Sequence, residues 1–188
     1  MRLFLAVDIP EDIRSNAERL IARLEIPSTK VRWVKPANLH VTLKFLGETS
    51  SDRLAAVIDA ARRTAAAFGP MNLSVDGMGV FPNKIKPRVV WLGLKGDLDK
   101  MAGLAEALDL ALARKGFDRE ERAFSPHLTI GRVISDNVKG QIIRATTAHR
   151  EMDLGTFTAS SLVLYESQLR PGGSIYNAME SFDLEKTV

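Results

Sequence analysis

The sequence predicts an α+β protein built mainly on antiparallel sheet. Segments of helical period alternate with short apolar runs of strand period. Several neighbouring strand candidates are joined by links too short for a parallel crossover, which takes about a dozen residues or more. Two separated strand candidates also echo each other, His40-Val41-Thr42-Leu43 and His127-Leu128-Thr129-Ile130.

The elements follow in order. Arg2 to Ile9 is rich in Leu, Phe and Val and reads as a buried first strand. Pro10 with Glu11 and Asp12 suits the first turn of a helix, which runs to about Leu24 on Ile13, Ala17, Leu20 and Ile21. Ile26-Pro27-Ser28 breaks it. Val31 to Val34 is a short extended piece, and Leu39 to Leu46 is a strand. After a loop from Gly47 to Ser51, an Ala-rich helix spans Asp52 to Phe68 and stops at Gly69-Pro70. Met71 to Val80 and Arg88 to Leu94 are two strands around the exposed loop FPNKIKP. Asp97 to Lys115 is a third helix, with Leu98, Met101, Leu104, Ala105, Leu108 and Leu112 on one stripe. Leu128 to Val133 is a strand, and Ser135 to about His149 a weaker helix. Thr156 to Leu169 and Ser174 to Leu184 form a closing hairpin across Pro171-Gly172-Gly173.

Composition narrows the chemistry. The chain has 188 residues, 45% hydrophobic and 26% charged, which is ordinary for a globular protein and excludes wholesale disorder. It holds no cysteine, which excludes disulfides, thiolate nucleophiles and cysteine-ligated metal clusters, and fits a reducing, cytoplasmic setting. The longest early apolar run, Leu3 to Val7, falls far short of a membrane span or a signal peptide. Net charge is only +3, which suits a mixed solvated surface. For acid–base work near neutral pH, the three histidines, His40, His127 and His149, are the first candidates.

Two of the three share a pattern: histidine, apolar, threonine, apolar. In a strand, residues i and i+2 point to one face. His40 therefore shares a face with Thr42, and His127 with Thr129. A lone strand histidine is usually structural and threonine is an ordinary strand former; the repetition of the whole pattern is what singles these out. Two imidazoles on opposite sides of a phosphodiester serve as base and acid in one in-line displacement. Two threonine hydroxyls donate to the non-bridging oxygens, where charge concentrates. A strained cyclic phosphate needs no metal for this. A metal site on both histidines is the other reading, but no carboxylate stands at a recognisable ligand spacing beside either motif. His149 lacks the following threonine and reads as a helix-end residue. The residues themselves leave acid and base unassigned.

These motifs sit within longer matching stretches: RLFLAVDIP, WVKPANLHVTLKFLGE (33–48), FPNKIKPRVVWLGL (81–94), FSPHLTIGR (124–132) and LYESQLRPGGSIYNAMESFDL (164–184). Across nearly its whole length the chain resembles the RNA 2′,3′-cyclic phosphodiesterases, or 2′-5′ RNA ligase-like proteins, of the two-histidine phosphoesterase superfamily. The resemblance implies a bilobal fold over residues 1–188, two pseudo-symmetric lobes with antiparallel sheets flanked by helices around a central cleft. The lobes are expected to interweave in sequence. It implies His40 as the general acid on the departing 3′ oxygen and His127 as the base that activates water, giving a 2′-phosphomonoester. Run in reverse, with an RNA 5′-hydroxyl in place of water, the chemistry would join ends through a 2′-5′ linkage.

Weaker candidates complete the site. Arg132 stands where the family often carries an arginine near the phosphate. Lys44 shares strand parity with His40 and Thr42, so it is expected to flank the same cleft. Phe45 and Tyr165, with Phe81, Phe124 and Tyr176, offer surfaces for a terminal base. Lys84, Lys86 and Arg88 form a basic loop able to reach further phosphates. Ser125-Pro126 favours an extended entry to the second motif. No cofactor is expected. The expected partner is RNA ending in a 2′,3′-cyclic phosphate, tRNA fragments among them, with no membrane and a monomeric chain. Two other functions fit the same residues: an RNA-end-binding module with little turnover, and a hydrolase of a small cyclic nucleotide or ADP-ribose cyclic phosphate.

Overall fold

A computed structural model describes residues 1–171 and 173–185. Two antiparallel sheets form its frame. The first has the order β3-β1-β8-β9 and the second β2-β6-β5-β4-β7. Their strands are β1 (Arg2–Asp8), β2 (Val31–Trp33), β3 (His40–Glu48), β4 (Met71–Phe81), β5 (Val89–Gly96), β6 (His127–Val133), β7 (Asp153–Ala159), β8 (Ser161–Arg170) and β9 (Gly173–Asp183). Leu3, Phe4, Leu5, Ala6 and Val7 are all buried, because β1 lies inside its sheet with both faces covered.

Four helices back the sheets: α1 (Glu11–Arg23), α2 (Leu54–Ala65), α3 (Leu98–Ala113) and α4 (Lys139–Ala148). Helix α1 follows a strand of the first sheet yet packs against β7 of the second, burying Ile13, Ala17 and Leu20. Helix α3 follows a strand of the second sheet yet packs against α2 and β3. Small residues on α2 (Ala60, Ala61, Ala65) let α2 and α3 approach closely. One continuous apolar core, with members from both sheets and all four helices, runs through the molecule.

Two expectations are corrected. The stretch Thr156 to Leu169 is not one strand. It breaks at Ser160, so that β7 pairs with β4 in the second sheet while β8 pairs with β1 and β9 in the first. The Ser160 carbonyl accepts the Leu184 N–H at 2.8 Å, which stitches the crossing point to the end of the chain. No glycine or proline marks this switch. The closing hairpin itself is β8–β9; Gly172, in its expected turn, lies outside the described residues.

The second correction is Lys44. Its side chain is 3% exposed and turned away from the face of His40. In the β1–β3 ladder Ala6 pairs with Thr42 and Leu5 with Lys44, leaving Leu43 as an extra residue. This bulge resets the alternation, so Leu43 and Lys44 are both buried and Phe45 emerges on the open face. Strand β6 does the same: Trp91 pairs with Thr129 and Val90 with Gly131, leaving Ile130 extra. Each bulge falls three residues after its histidine, and each sends the residue at position +5, Phe45 or Arg132, back to the histidine's face.

Candidate active site

Strands β3 and β6, one from each sheet, come within 8 Å of each other, Cα to Cα, so the two histidine motifs lie on neighbouring strands. Each imidazole is fixed in the same way. His40 Nδ1 donates to the Asn38 carbonyl at 2.7 Å, and His127 Nδ1 donates to the Ser125 carbonyl at 2.7 Å. The acceptor is in both cases two residues upstream: Asn38 ends a 3-10 turn over Pro36–Asn38, and Ser125 lies in the irregular segment before β6. With Nδ1 occupied as donor, Nε2 is left to exchange a proton with whatever enters the cleft. Pro126 favours the extended backbone that presents the Ser125 carbonyl.

The two sites differ in their walls. His40 lies against Phe4 (ring centroids 4.8 Å apart) and edge-on to Tyr176 (5.2 Å). Tyr165 stacks on Phe4 at 5.2 Å and also lies 6.3 Å from the His40 ring, and Phe45, 54% exposed, closes the group at 5.8 Å from Phe4. His40 Nε2 is 2.9 Å from Thr42 Oγ1. Burial pushes the His40 imidazole below its ordinary value of 6.5; the Asn38 carbonyl and Asp8 oppose this, while Arg14 and His127 add to it. Burial, with Asp8 nearby, raises the Tyr165 hydroxyl to about 12.

His127 meets Phe81 edge-on at 5.0 Å, and Phe81 in turn lies 5.1 Å from Trp91. Trp91 pairs with Thr129, so its indole covers the floor of this half of the cleft. Gly79 accommodates it, since a Cβ there would stand 2.2 Å from the ring. The Trp91 indole N–H is buried without a hydrogen-bond partner among the described residues. Arg132 lies exposed on the same face as Thr129, and among the described residues it makes no ion pair.

The structure thus brings together His40, Thr42, His127 and Thr129, with Phe45, Tyr165 and Arg132 around them. It separates Lys44, which lies behind the sheet, and Phe124, which packs against the core. His149 caps the end of α4, with Nδ1 donating to the Ala145 carbonyl at 2.9 Å. In the basic loop, Asn83 Oδ1 accepts the N–H groups of Ile85 and Lys86 at 3.0 Å each, and Arg88 pairs with Asp136 at 3.4 Å. Sequence reasoning missed Phe4, Trp91 and the pair Asp8–Arg14. Asp8 is directly opposite His40 in the ladder. Arg14 donates to the Ile9 carbonyl (2.7 Å), the Pro36 carbonyl (3.0 Å) and Asp8, and so holds the turn that leads to Asn38 and His40. Register counted back from His40 would have found Asp8; a helical arginine carries no such signal.

Two lobes, each giving one strand with histidine and threonine on a shared face, define a two-histidine phosphoesterase. The family model described as LigT like Phosphoesterase matches twice, over residues 7–91 and 93–176, one match for each motif, and the chain belongs to that family. It is 36% identical to the RNA 2′,3′-cyclic phosphodiesterase of Methanothermobacter thermautotrophicus over 184 residues, 98% of this chain and 99% of that one. It is 37% identical to the protein of the same name from Archaeoglobus fulgidus, over 97% of this chain and all of the other. Among solved structures, E. coli LigT complexed with 3′-AMP superposes with a TM-score of 0.82 at 30% identity, covering 98% of each chain.

Proposed function

We propose that the protein hydrolyses RNA 2′,3′-cyclic phosphate termini to 2′-phosphomonoesters, with His40 and His127 as the acid–base pair. The observation that carries this is the duplicated fixation of the two imidazoles: both give Nδ1 to a carbonyl, which leaves Nε2, in His40 beside Thr42 Oγ1, as the nitrogen that exchanges a proton. His127 Nε2 takes a proton from water, whose oxygen attacks phosphorus. The P–O3′ bond breaks in line, and His40 Nε2 gives its proton to the departing 3′ oxygen. Thr42 and Thr129 donate to the non-bridging oxygens, and Arg132 adds a positive charge on the same face. Ring strain in the cyclic phosphate assists the departure, so the two imidazoles supply the chemistry without a metal.

The lowered pKa of His40 opposes the acid role in the free protein, and binding has to reverse it. In the empty cleft the buried ring favours its neutral form; an arriving phosphate anion beside it favours the protonated one. Phe45 and Tyr165 offer aromatic surface for the terminal base. The names of the relatives support RNA as the substrate class. Both histidines come from one chain, which suits a monomer, and the absence of cysteine suits the cytoplasm. Among the described residues no helix is long and apolar enough to cross a membrane. The same site run backwards would support 2′-5′ joining of RNA ends.

The test is a short RNA ending in a 2′,3′-cyclic phosphate, incubated with excess chelator and resolved by product. The expected product is the 2′-phosphate, formed at the same rate with and without chelator. Unchanged turnover in both His40→Ala and His127→Ala would reject the assignment.

A further inference from the structure

Residues 118–126 carry the chain from the end of α3 to His127, and they are held in an unusual way. Among the described residues this segment makes no backbone–backbone hydrogen bond. Phe124 packs on the core beneath it. Among the described residues, every hydrogen bond that ties residues 118–124 to the rest of the protein runs to one of two side chains, Lys44 and Asp109. Lys44 Nζ donates to the Asp118 carbonyl at 2.7 Å and to Glu120 Oε1 at 3.5 Å. Asp109 accepts the Glu120 N–H at 3.0 Å and the Arg119 Nε–H. The two centres bond to each other at 2.8 Å. Both are buried, with side-chain exposures of 3% and 9%. Burial acts to raise the Asp109 carboxyl, but hydrogen bonds from Lys44, Glu120 and Arg119 hold it below the ordinary carboxylate value.

The placement of this pair matters more than its strength. Lys44 is two residues beyond Thr42, on the strand that carries the first motif. Asp109 lies on α3, which packs against that strand. The segment they hold ends at Ser125, whose carbonyl fixes the His127 ring. The bulge at Leu43 is what sends Lys44 behind the sheet, where it can do this. We infer that Lys44 and Asp109 are positioning residues. They tie the strand of the first histidine to the loop of the second, and so set His127 against His40. This rests on the acid–base assignment above for its consequence in turnover, but not for its consequence in structure.

A buried ion pair contributes little net stability over apolar residues of similar volume, so stability and positioning can be separated. The decisive variant is Lys44→Met with Asp109→Leu in one chain, with Asp109→Asn alone as a milder companion. Three quantities are read: the thermal midpoint, kcat and KM on a cyclic-phosphate RNA, and the ring-nitrogen NMR signals of the two histidines. The double variant is expected to fold with a midpoint near that of the parent. Its kcat falls about tenfold or more while KM moves less than about threefold, because binding survives and alignment does not. The His127 Nδ1–H signal broadens or shifts toward exchange with water, and that of His40 stays in place.

A double variant that regains both full kcat and an unchanged His127 signal overturns the proposal. So does one that cannot fold, since the pair would then serve the fold alone. If the parent itself leaves cyclic-phosphate RNA untouched, the acid–base reading fails. The His127 signal in the variants still decides the positioning claim.

Discussion

An imidazole serves as an acid only while it carries its proton, and His40 begins at a disadvantage. Burial among Phe4, Tyr165 and Tyr176 favours its neutral form in the free protein. An NMR titration of the free protein is therefore expected to place His40 below 6.5, and a bound phosphate monoester to move it upward. By linkage, the anion binds more tightly as pH falls toward the free value. The stability consequence has the opposite sense. A histidine depressed in the folded state takes up more protons when unfolded, so its contribution is complete above about 6.5 and is lost as pH falls from there toward its folded value. Replacing either His40 or His127 by alanine is expected to lower kcat by about 10²- to 10⁴-fold, the usual range for general acid–base catalysis. The paired histidines and threonines were legible in the sequence, because strand parity over three residues needs no knowledge of neighbours. Asp8 and Arg14 were not, because their roles depend on a ladder partner and on a helix from outside the strand.

At the scale of elements, the two bulges are the features that parity could not foresee. An unbroken alternation places Lys44 beside Thr42 and hides Arg132; an extra residue in each strand reverses both. Two matched bulges, each three residues past a histidine, show that the echo between the halves extends to backbone geometry. Gly131 follows one of them, with Trp33 of β2 lying over it. A Cβ at this position would meet the indole at 2.7 Å and Val31 at 2.9 Å. Gly131→Ala is expected to destabilise the protein by about 1–3 kcal/mol through overpacking, measured by denaturant unfolding. Arg14→Ala is expected to cost about 1–3 kcal/mol by leaving carbonyls at Ile9 and Pro36 short of a donor; it should also free the turn before His40 and lower kcat. The break at Ser160 escaped the sequence reading for a related reason. Both flanking stretches alternate as strands do, and what parts them is the sheet each one joins.

For the whole molecule, interweaving sets the behaviour. Helix α1 and helix α3 each cross to the sheet that their preceding strand does not belong to, and one apolar core runs through both sheets. The two halves are therefore expected to unfold in a single cooperative transition, with calorimetric and van't Hoff enthalpies in agreement. Two separate transitions would show the lobes to be independent. The α+β class and most elements could be read from apolar periodicity alone. The pairing of strands into two sheets could not, because it depends on contacts between residues far apart in the chain. Each match of the family model, over residues 7–91 and 93–176, holds one histidine motif and strands from both sheets.

The proposed chemistry opens one bond, the P–O3′ bond of a cyclic phosphate held between two imidazoles. Its most direct test is the identity of the product from a defined RNA with a 2′,3′-cyclic phosphate end, formed in excess chelator across about pH 5 to 9. The expected product is a 2′-phosphate, with kcat/KM falling on both sides of a maximum and no loss to the chelator. A 3′-phosphate product, a rate without a falling limb on either side, or activity abolished by the chelator would contradict it.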